Sequence, residues 1–331
     1  TVEVRSSVGE VDLQKLPSSA DVVDGKAMQD RKMQVNLSEG LQAVPGLTLN
    51  NRNNYAQDLQ LSVRGYGARS TFGVRGVRLL VDGIPATMPD GQGQTSNIDI
   101  SSLDRVEVIR GPYSALYGNS SGGVISFFTE DPQGPLTIST GVSAGSYGQQ
   151  RLSTKASGQT DAGMGYVLSA SRYMTDGWRD HSGADRNLVN AKLVLPMQND
   201  AKLTLVANHT RSDAKDPQGL TMAQWQANPR QASAVAAQYN TRKSLEQQQI
   251  GANYDLRISA EQSLNLSAYY GHRSMEQFQS IPKAPQLAAG HAGGVIDMAR
   301  DYAGARAAWT GKFDTVVPVQ VTAGLDLQTM Q

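Results

Sequence analysis

The sequence predicts a mainly β protein, with a small α/β domain over residues 8–133 followed over 134–331 by antiparallel strands of a transmembrane β-barrel, a truncated barrel by the resemblance given below. Two observations carry this. Through residue 132 short apolar runs alternate with Gly, Pro and Asp-Gly turns, and after Asp131-Pro-Gln-Gly-Pro135 the texture changes to sustained period-2 alternation. In that second part the connections are tight at one end of the strands and long and polar at the other.

In the first part, Asn36 followed by Glu39 reads as a helix N-cap with a reciprocal carboxylate. Leu37, Leu41 and Val44 then share one helical face before Pro45-Gly46 ends the run. Leu59–Val63, Val77–Val81 and Val106–Ile109 read as strands, and Asp82-Gly83 supplies turn chemistry after the second.

In the second part, Leu136, Ile138, Thr140, Val142 and Ala144 alternate with Thr137, Ser139, Gly141 and Ser143. The same alternation marks about nine segments, near 136–145, 149–158, 163–174, 187–196, 201–211, 244–257, 262–273, 297–311 and 317–329. Most reach the about 9–11 residues that a membrane-crossing strand needs. Tight links such as Gln198-Asn-Asp200 and Ser259-Ala-Glu261 alternate with long polar ones near 175–186, 212–243 and 274–296. A soluble β-sandwich would also alternate. Its solvent face would carry more Lys and Glu than these small polar residues, and loops this long on one side only do not suit a compact sandwich.

Composition narrows the function. The 331 residues include 30 basic and 30 acidic ones, so there is no net charge to wrap nucleic acid. Cysteine is absent, which excludes disulfides and thiolate metal sites. Hydrophobic residues make up 39%, too few for a helical membrane protein but acceptable for a barrel with a polar lumen. No run approaches the roughly 18 continuous apolar residues of a membrane helix, and the first residues do not form a basic and apolar leader, so a signal peptide is expected to have been removed. The glycines at 65, 67, 111, 118, 122 and 123 do not form a phosphate loop, because no G-x-x-x-x-G-K-[ST] occurs. His181, His209, His272 and His291 are scattered without ligand spacing, and no G-x-S-x-G elbow exists. No enzyme, cofactor or resident metal is expected.

Three runs in order carry a family resemblance: Leu59-Gln-Leu-Ser-Val-Arg-Gly-Tyr-Gly67, Leu79-Leu-Val-Asp-Gly-Ile-Pro85, and Val106–Ile125 with its Arg110-Gly-Pro-Tyr-Ser-Ala-Leu-Tyr-Gly118. In order and spacing these resemble the plug domain of TonB-dependent outer-membrane receptors. The resemblance implies a plug inside a barrel of about 22 strands, so roughly thirteen further strands would complete it. It also implies energy-coupled uptake of a scarce small molecule with TonB, powered by the proton motive force, as partner. The runs Asn51–Asp58, Ala68–Gly76, Pro85–Asn97, Arg179–Gly183 and Gln279–Pro285 are similar to a subgroup in enteric bacteria that takes up pyrroloquinoline quinone or, in the alternative reading, ferric siderophores. A surface barrel used for attachment by phage or colicin is the alternative of another class.

The resemblance assigns residues. Thr1, Val2, Glu3 and Val4 (segment 1–7) correspond to the TonB-binding segment, an exposed strand able to pair with a partner strand. Arg64 and Arg110, beside glycines at strand ends, correspond to a latch onto acidic groups of the barrel wall. Outward-facing plug apices are expected to contact the ligand through Arg52, Asn53, Asn54 and Tyr55, through Arg69, Ser70, Thr71 and Phe72, and through Pro89, Asp90, Gln92 and Gln94. Arg52 with Tyr55 and Arg69 with Phe72 would offer a guanidinium fork beside an aromatic plane to a polycarboxylate.

Overall fold

The computed structural model describes residues 3–6, 9–12, 19–70, 73–111, 117, 118 and 120–331. Thr1, Val2, Thr71, Phe72 and the Pro112–Leu116 part of the Arg-Gly-Pro run lie outside these residues, and their expected roles stay as expectations.

The plug is a five-stranded sheet built from β3 (Ala20–Asp24), β6 (Val77–Val81), β7 (Ile84–Pro85), β8 (Leu103–Arg110) and β9 (Gly123–Thr129), in the order β3-β8-β9-β6-β7. Only β6 and β9 run parallel. Leu79, Val106, Val108, Ile125 and Phe127 are fully buried on one side of this sheet. They pack with Met28 and Leu41 of helices α1 (Gly25–Gln29) and α2 (Ser38–Leu41), and with the two-stranded pair β4 (Leu47–Asn50) and β5 (Gln60–Val63). The Asp82-Gly83 turn joins β6 to β7 with both residues at positive φ, 46° and 81°, the type I′ geometry that suits a tight hairpin.

Glu39 differs in detail from the expected cap. Leu37 is the N-cap of α2, and the side chain of Asn36 does not cap it. The Glu39 carboxylate instead accepts three backbone N–H groups, from Gln34 at 2.7 Å, Val35 at 2.8 Å and Asn36 at 2.7 Å. The carboxylate thereby fixes the segment 34–36 that leads into the helix, including the reciprocal bond to the Asn36 N–H.

At the N-terminus β1 (Glu3–Ser6) pairs with β2 (Gly9–Asp12), which occupies one edge of the expected TonB-binding strand. Its other edge meets no strand among the described residues.

Beyond Pro135 the chain forms one antiparallel nine-stranded sheet: β10 (Thr137–Ala144), β11 (Gln150–Gln159), β12 (Gly165–Thr175), β13 (Ala184–Pro196), β14 (Lys202–Lys215), β15 (Arg242–Arg257), β16 (Gln262–Phe278), β17 (Val295–Phe313) and β18 (Val319–Met330), each paired with the next. The sheet is open, since β10 and β18 pair with no further strand among the described residues. Ile138, Val142, Leu168, Ile250, Leu325 and Leu327 stand exposed on the side away from the plug, with Ile138 at 64% and Val142 at 80%. So broad an exposed apolar face matches the outward band expected of a barrel wall.

β16 and β17 are 17 and 19 residues long, well past the length needed to cross a bilayer. The excess lies on the side of the long loops, residues 176–183, 216–241 and 279–294. Two short helices, Met222–Ala227 and Ala234–Tyr239, structure the longest of these.

Candidate functional site: the plug apices and their grip on the barrel wall

The loop 51–58 leaves β4 through an Asx turn, in which Asn53 donates its N–H to Asn51 Oδ1 at 2.8 Å. Asn54 then donates to Asp216 Oδ1 at 2.8 Å and Gln57 to Asp216 Oδ2 at 2.5 Å. Asp216 lies at the foot of the loop 216–241, buried at 3%, and its backbone closes that foot against Thr241. Arg179 reinforces the same foot by donating to the carbonyls of Gln218 at 2.6 Å and Gln231 at 2.8 Å. Burial lowers the pKa of this guanidinium, and the charges of Asp216 and Asp180 oppose the shift.

Tyr55 and Tyr173 of β12 share a hydrogen bond between their hydroxyls at 2.7 Å, with ring centroids 5.2 Å apart. Burial, and then the bond to Tyr173, push the Tyr55 phenol well above its ordinary range, so it stays neutral. The plug apex is thus already bound to the wall and the outer loops.

The second apex behaves alike. Asp90 Oδ2 pairs with Arg300 of β17 at 3.1 Å, while its Oδ1 accepts the Gln92 N–H at 2.9 Å. Gln94, 4% exposed, accepts from Arg273 of β16 at 2.9 Å. Of the expected ligand residues, Arg52, Asn53 and Arg69 are exposed and Gln92 is half-buried. Arg52 lines an open cavity of about 340 Å³ with Gln57, Gln218, Gln277, Gln279 and Ser280. Gln94, expected at the ligand, is instead buried with its amide oxygen on Arg273 of the wall. Asn54, Tyr55 and Asp90 already bond to wall or loop partners.

The expected latch arginines meet no wall carboxylate among the described residues. Arg110 pairs with Asp21 of the neighbouring plug strand β3, and it donates to Pro45 O at 2.9 Å and to Ser19 Oγ. Pairing of β8 with β3 brings that carboxylate alongside, so the buried guanidinium is neutralised within the plug. Arg64 is exposed and forms no ion pair among the described residues. Its side chain and that of Arg110 both pass over Gly46, where an added Cβ would lie 3.4 Å from Arg64 Cγ and 3.6 Å from Arg110 Cδ.

The ion pairs that do join plug to wall have the opposite polarity. Lys155 of β11 holds Glu130 at 2.7 Å, Lys192 of β13 holds Asp131 at 3.2 Å and Asp82 at 3.5 Å, and Lys243 of β15 holds Asp58 at 2.8 Å. With Arg300 and Asp90, every such pair among the described residues has its cation on the wall and its carboxylate on the plug. Arg186 of β13 adds bonds to the carbonyls of Val35, at 2.9 Å, and Ser96. Sequence inspection missed these wall residues because a lysine on the polar face of a strand carries no local sign of what it meets.

Residues 12–124 match the family described as the TonB-dependent Receptor Plug Domain. The ferric enterobactin receptor PirA of Pseudomonas aeruginosa is 26% identical over 159 residues, covering 42% of this chain and 20% of that protein. Among solved structures, the ferric citrate transporter FecA in its unliganded form superposes with a TM-score of 0.75 at 17% identity, over 96% of this chain and 49% of that one. The ferric-catecholate import receptor Fiu from E. coli K12 gives 0.72 at 16%, over 97% and 50%. The chain therefore spans about half the length of these two solved receptors, and the superpositions establish the shared fold. Together, the plug match over 12–124 and the siderophore-receptor relatives support a TonB-dependent receptor.

Proposed function

We propose that this chain comprises the plug and nine barrel strands of an energy-coupled receptor in the outer membrane of a Gram-negative bacterium, which takes up a scarce small molecule captured at the outer plug apices and loops. The observation that carries the reading is the seating of a plug-family domain against the polar side of a nine-stranded sheet whose other side is apolar and exposed. The cargo first meets Arg52 and Arg69, whose exposed guanidinium groups suit an anionic ligand. Thr1–Val4 engages TonB by strand addition, supported by the edge of β1 that meets no strand among the described residues. Removing residues 1–7 from the receptor is expected to abolish energised uptake while leaving ligand binding intact; undiminished uptake would refute TonB coupling.

For the substrate, a ferric siderophore is the first reading, because the curated relative is named a ferric enterobactin receptor and the similar structures are iron-chelate receptors. Pyrroloquinoline quinone is the second, favoured by the wall's lysines and arginines, which suit a polycarboxylate. Titration of the receptor with the quinone and with a panel of ferric siderophores separates them. Saturable iron-chelate binding without quinone binding supports the first, and the reverse pattern replaces it with the second.

A further inference from the structure

On the plug-facing side of the wall, the strand registers place cations side by side. Arg273 and Arg300 are direct cross-strand partners, an arrangement that repels unless something anionic or strongly polar covers it. The plug provides the cover: Asp90 pairs with Arg300, Gln94 accepts from Arg273, and the charge of Asp58 reaches Arg273. Arg151 and Arg186 both oppose Tyr173 in register, on its two sides, and Asp99 of the plug lies within electrostatic reach of both. Asp99 is itself fixed to the wall through Ser169 Oγ at 2.6 Å. Towards the short-turn rim, Lys155 and Lys192 are covered by Glu130, Asp131 and Asp82.

These groups are not a solvated face. Arg273 is 2% exposed and Arg151 5%, at a depth where an unpaired cation is costly. The series runs from Arg300 and Lys243 near the long loops to Lys192 near the short turns; Lys155, Lys192, Lys243 and Arg300 pair with plug carboxylates, whereas Arg273 bonds to Gln94 of the plug and Gln247 of the wall, and Arg151 to Ser153 of the wall. With the plug carboxylates withdrawn, Lys155, Lys192, Lys243 and Arg300 would lose their ion pairs, leaving the kind of charged lining by which pores select anions.

We propose that this wall is an anion path masked by the plug: the cations at 151, 155, 186, 192, 243, 273 and 300 bind a small multiply anionic cargo, such as a polycarboxylate, in place of the plug carboxylates as those withdraw. The direction of travel rests on the receptor reading given above; the anion-binding wall does not.

The test is binding of 1,3,5-benzenetricarboxylate to the purified receptor in detergent. Asp90→Asn with Asp99→Asn keeps side-chain shape while unmasking both arginine pairs, and is expected to tighten binding about tenfold in a salt-sensitive way. Adding Arg151→Gln, Arg186→Gln, Arg273→Gln and Arg300→Gln returns the affinity to that of the unaltered protein. Unchanged affinity in the folded Asn variant, or equal binding of the neutral triamide, overturns the proposal. A second measurement needs no substitution at the mask: in planar bilayers, urea loosens the plug and a salt gradient gives the reversal potential. An anion-selective sign supports the path and a cation-selective sign overturns it. Anion binding without energised uptake would sustain this proposal and sink the receptor reading; energised uptake of a neutral cargo without anion binding would do the opposite.

Discussion

The buried carboxylate of Asp216 accepts a hydrogen bond from the Asn54 side chain at 2.8 Å, which ties the outermost plug loop to the foot of the loop 216–241. The apex is therefore joined by short covalent and hydrogen-bonded links to the plug through β4 and to the foot of the outer loop through Asp216 and Thr241.

Asp216→Ala leaves the Asn54 and Gln57 amides without their acceptor and removes the Gln218 N–H partner. The expected cost is about 3 kcal/mol, felt locally as opening of the loop. Limited proteolysis should cut within 216–241 faster than in the unaltered protein; equal rates would show that the carboxylate does not hold the loop.

Lys192 and Asp82 are both 8% exposed, and Asp82 also accepts the Thr129 N–H at 3.0 Å and its hydroxyl at 2.5 Å. Breaking such a buried pair from one side is expected to cost about 3–5 kcal/mol. A double-mutant cycle of Lys192→Met and Asp82→Asn, read by urea unfolding, should give a coupling above about 1 kcal/mol. Strict additivity would mean that the two charges do not sense each other.

Arg110 and Arg64 should differ sharply. Arg110→Ala exposes Asp21, Pro45 and Ser19 to loss of a buried donor and should lower plug stability by about 2–3 kcal/mol. Arg64→Ala, at an exposed position, should stay within about 0.5 kcal/mol. Equal effects on thermal unfolding would contradict the internal role assigned to Arg110.

Tyr55 gives a pH dependence. Its folded pKa lies above the unfolded value of about 10, so the neutral phenol's contribution is complete below that pH and is lost as pH rises through the folded value. Stability measured from pH 9 to 11 should fall with pH, and Tyr55→Phe should flatten the slope. A slope that survives the substitution would assign it to other groups.

Gly251 of β15 marks a close approach of wall to plug, since an added Cβ would lie 2.7 Å from Ile84 Cγ1. Gly251→Val should push the β6–β7 hairpin off the wall at a cost of about 1–3 kcal/mol. Increased proteolysis of the plug in the otherwise folded barrel is the expected readout, and an unchanged digest would mean that the hairpin gives way freely.

The strand centres of the barrel wall were legible because a bilayer outside and a polar lumen inside impose period 2. Strand ends on the long-loop side were not. The sequence places the end of one strand near 273 and the start of the next near 297, whereas β16 runs to Phe278 and β17 begins at Val295. There the outward face carries His272, Glu276, Asp297 and Asp301, because beyond the bilayer both faces meet water and the alternation disappears.

What the sequence by itself determined was local: the strands, the Asp82-Gly83 turn, the break near 131–135, and the ordered motifs that mark the plug. Each follows from the covalent neighbours and from the solvent on either side of a strand. What only the tertiary structure decided was pairing. That Arg110 serves Asp21 inside the plug, while Lys155, Lys192, Lys243 and Arg300 reach inward from the wall to plug carboxylates, depends on groups far apart in the chain. A charge's partner is set by three-dimensional distance and burial, and neither is written in the residues beside it.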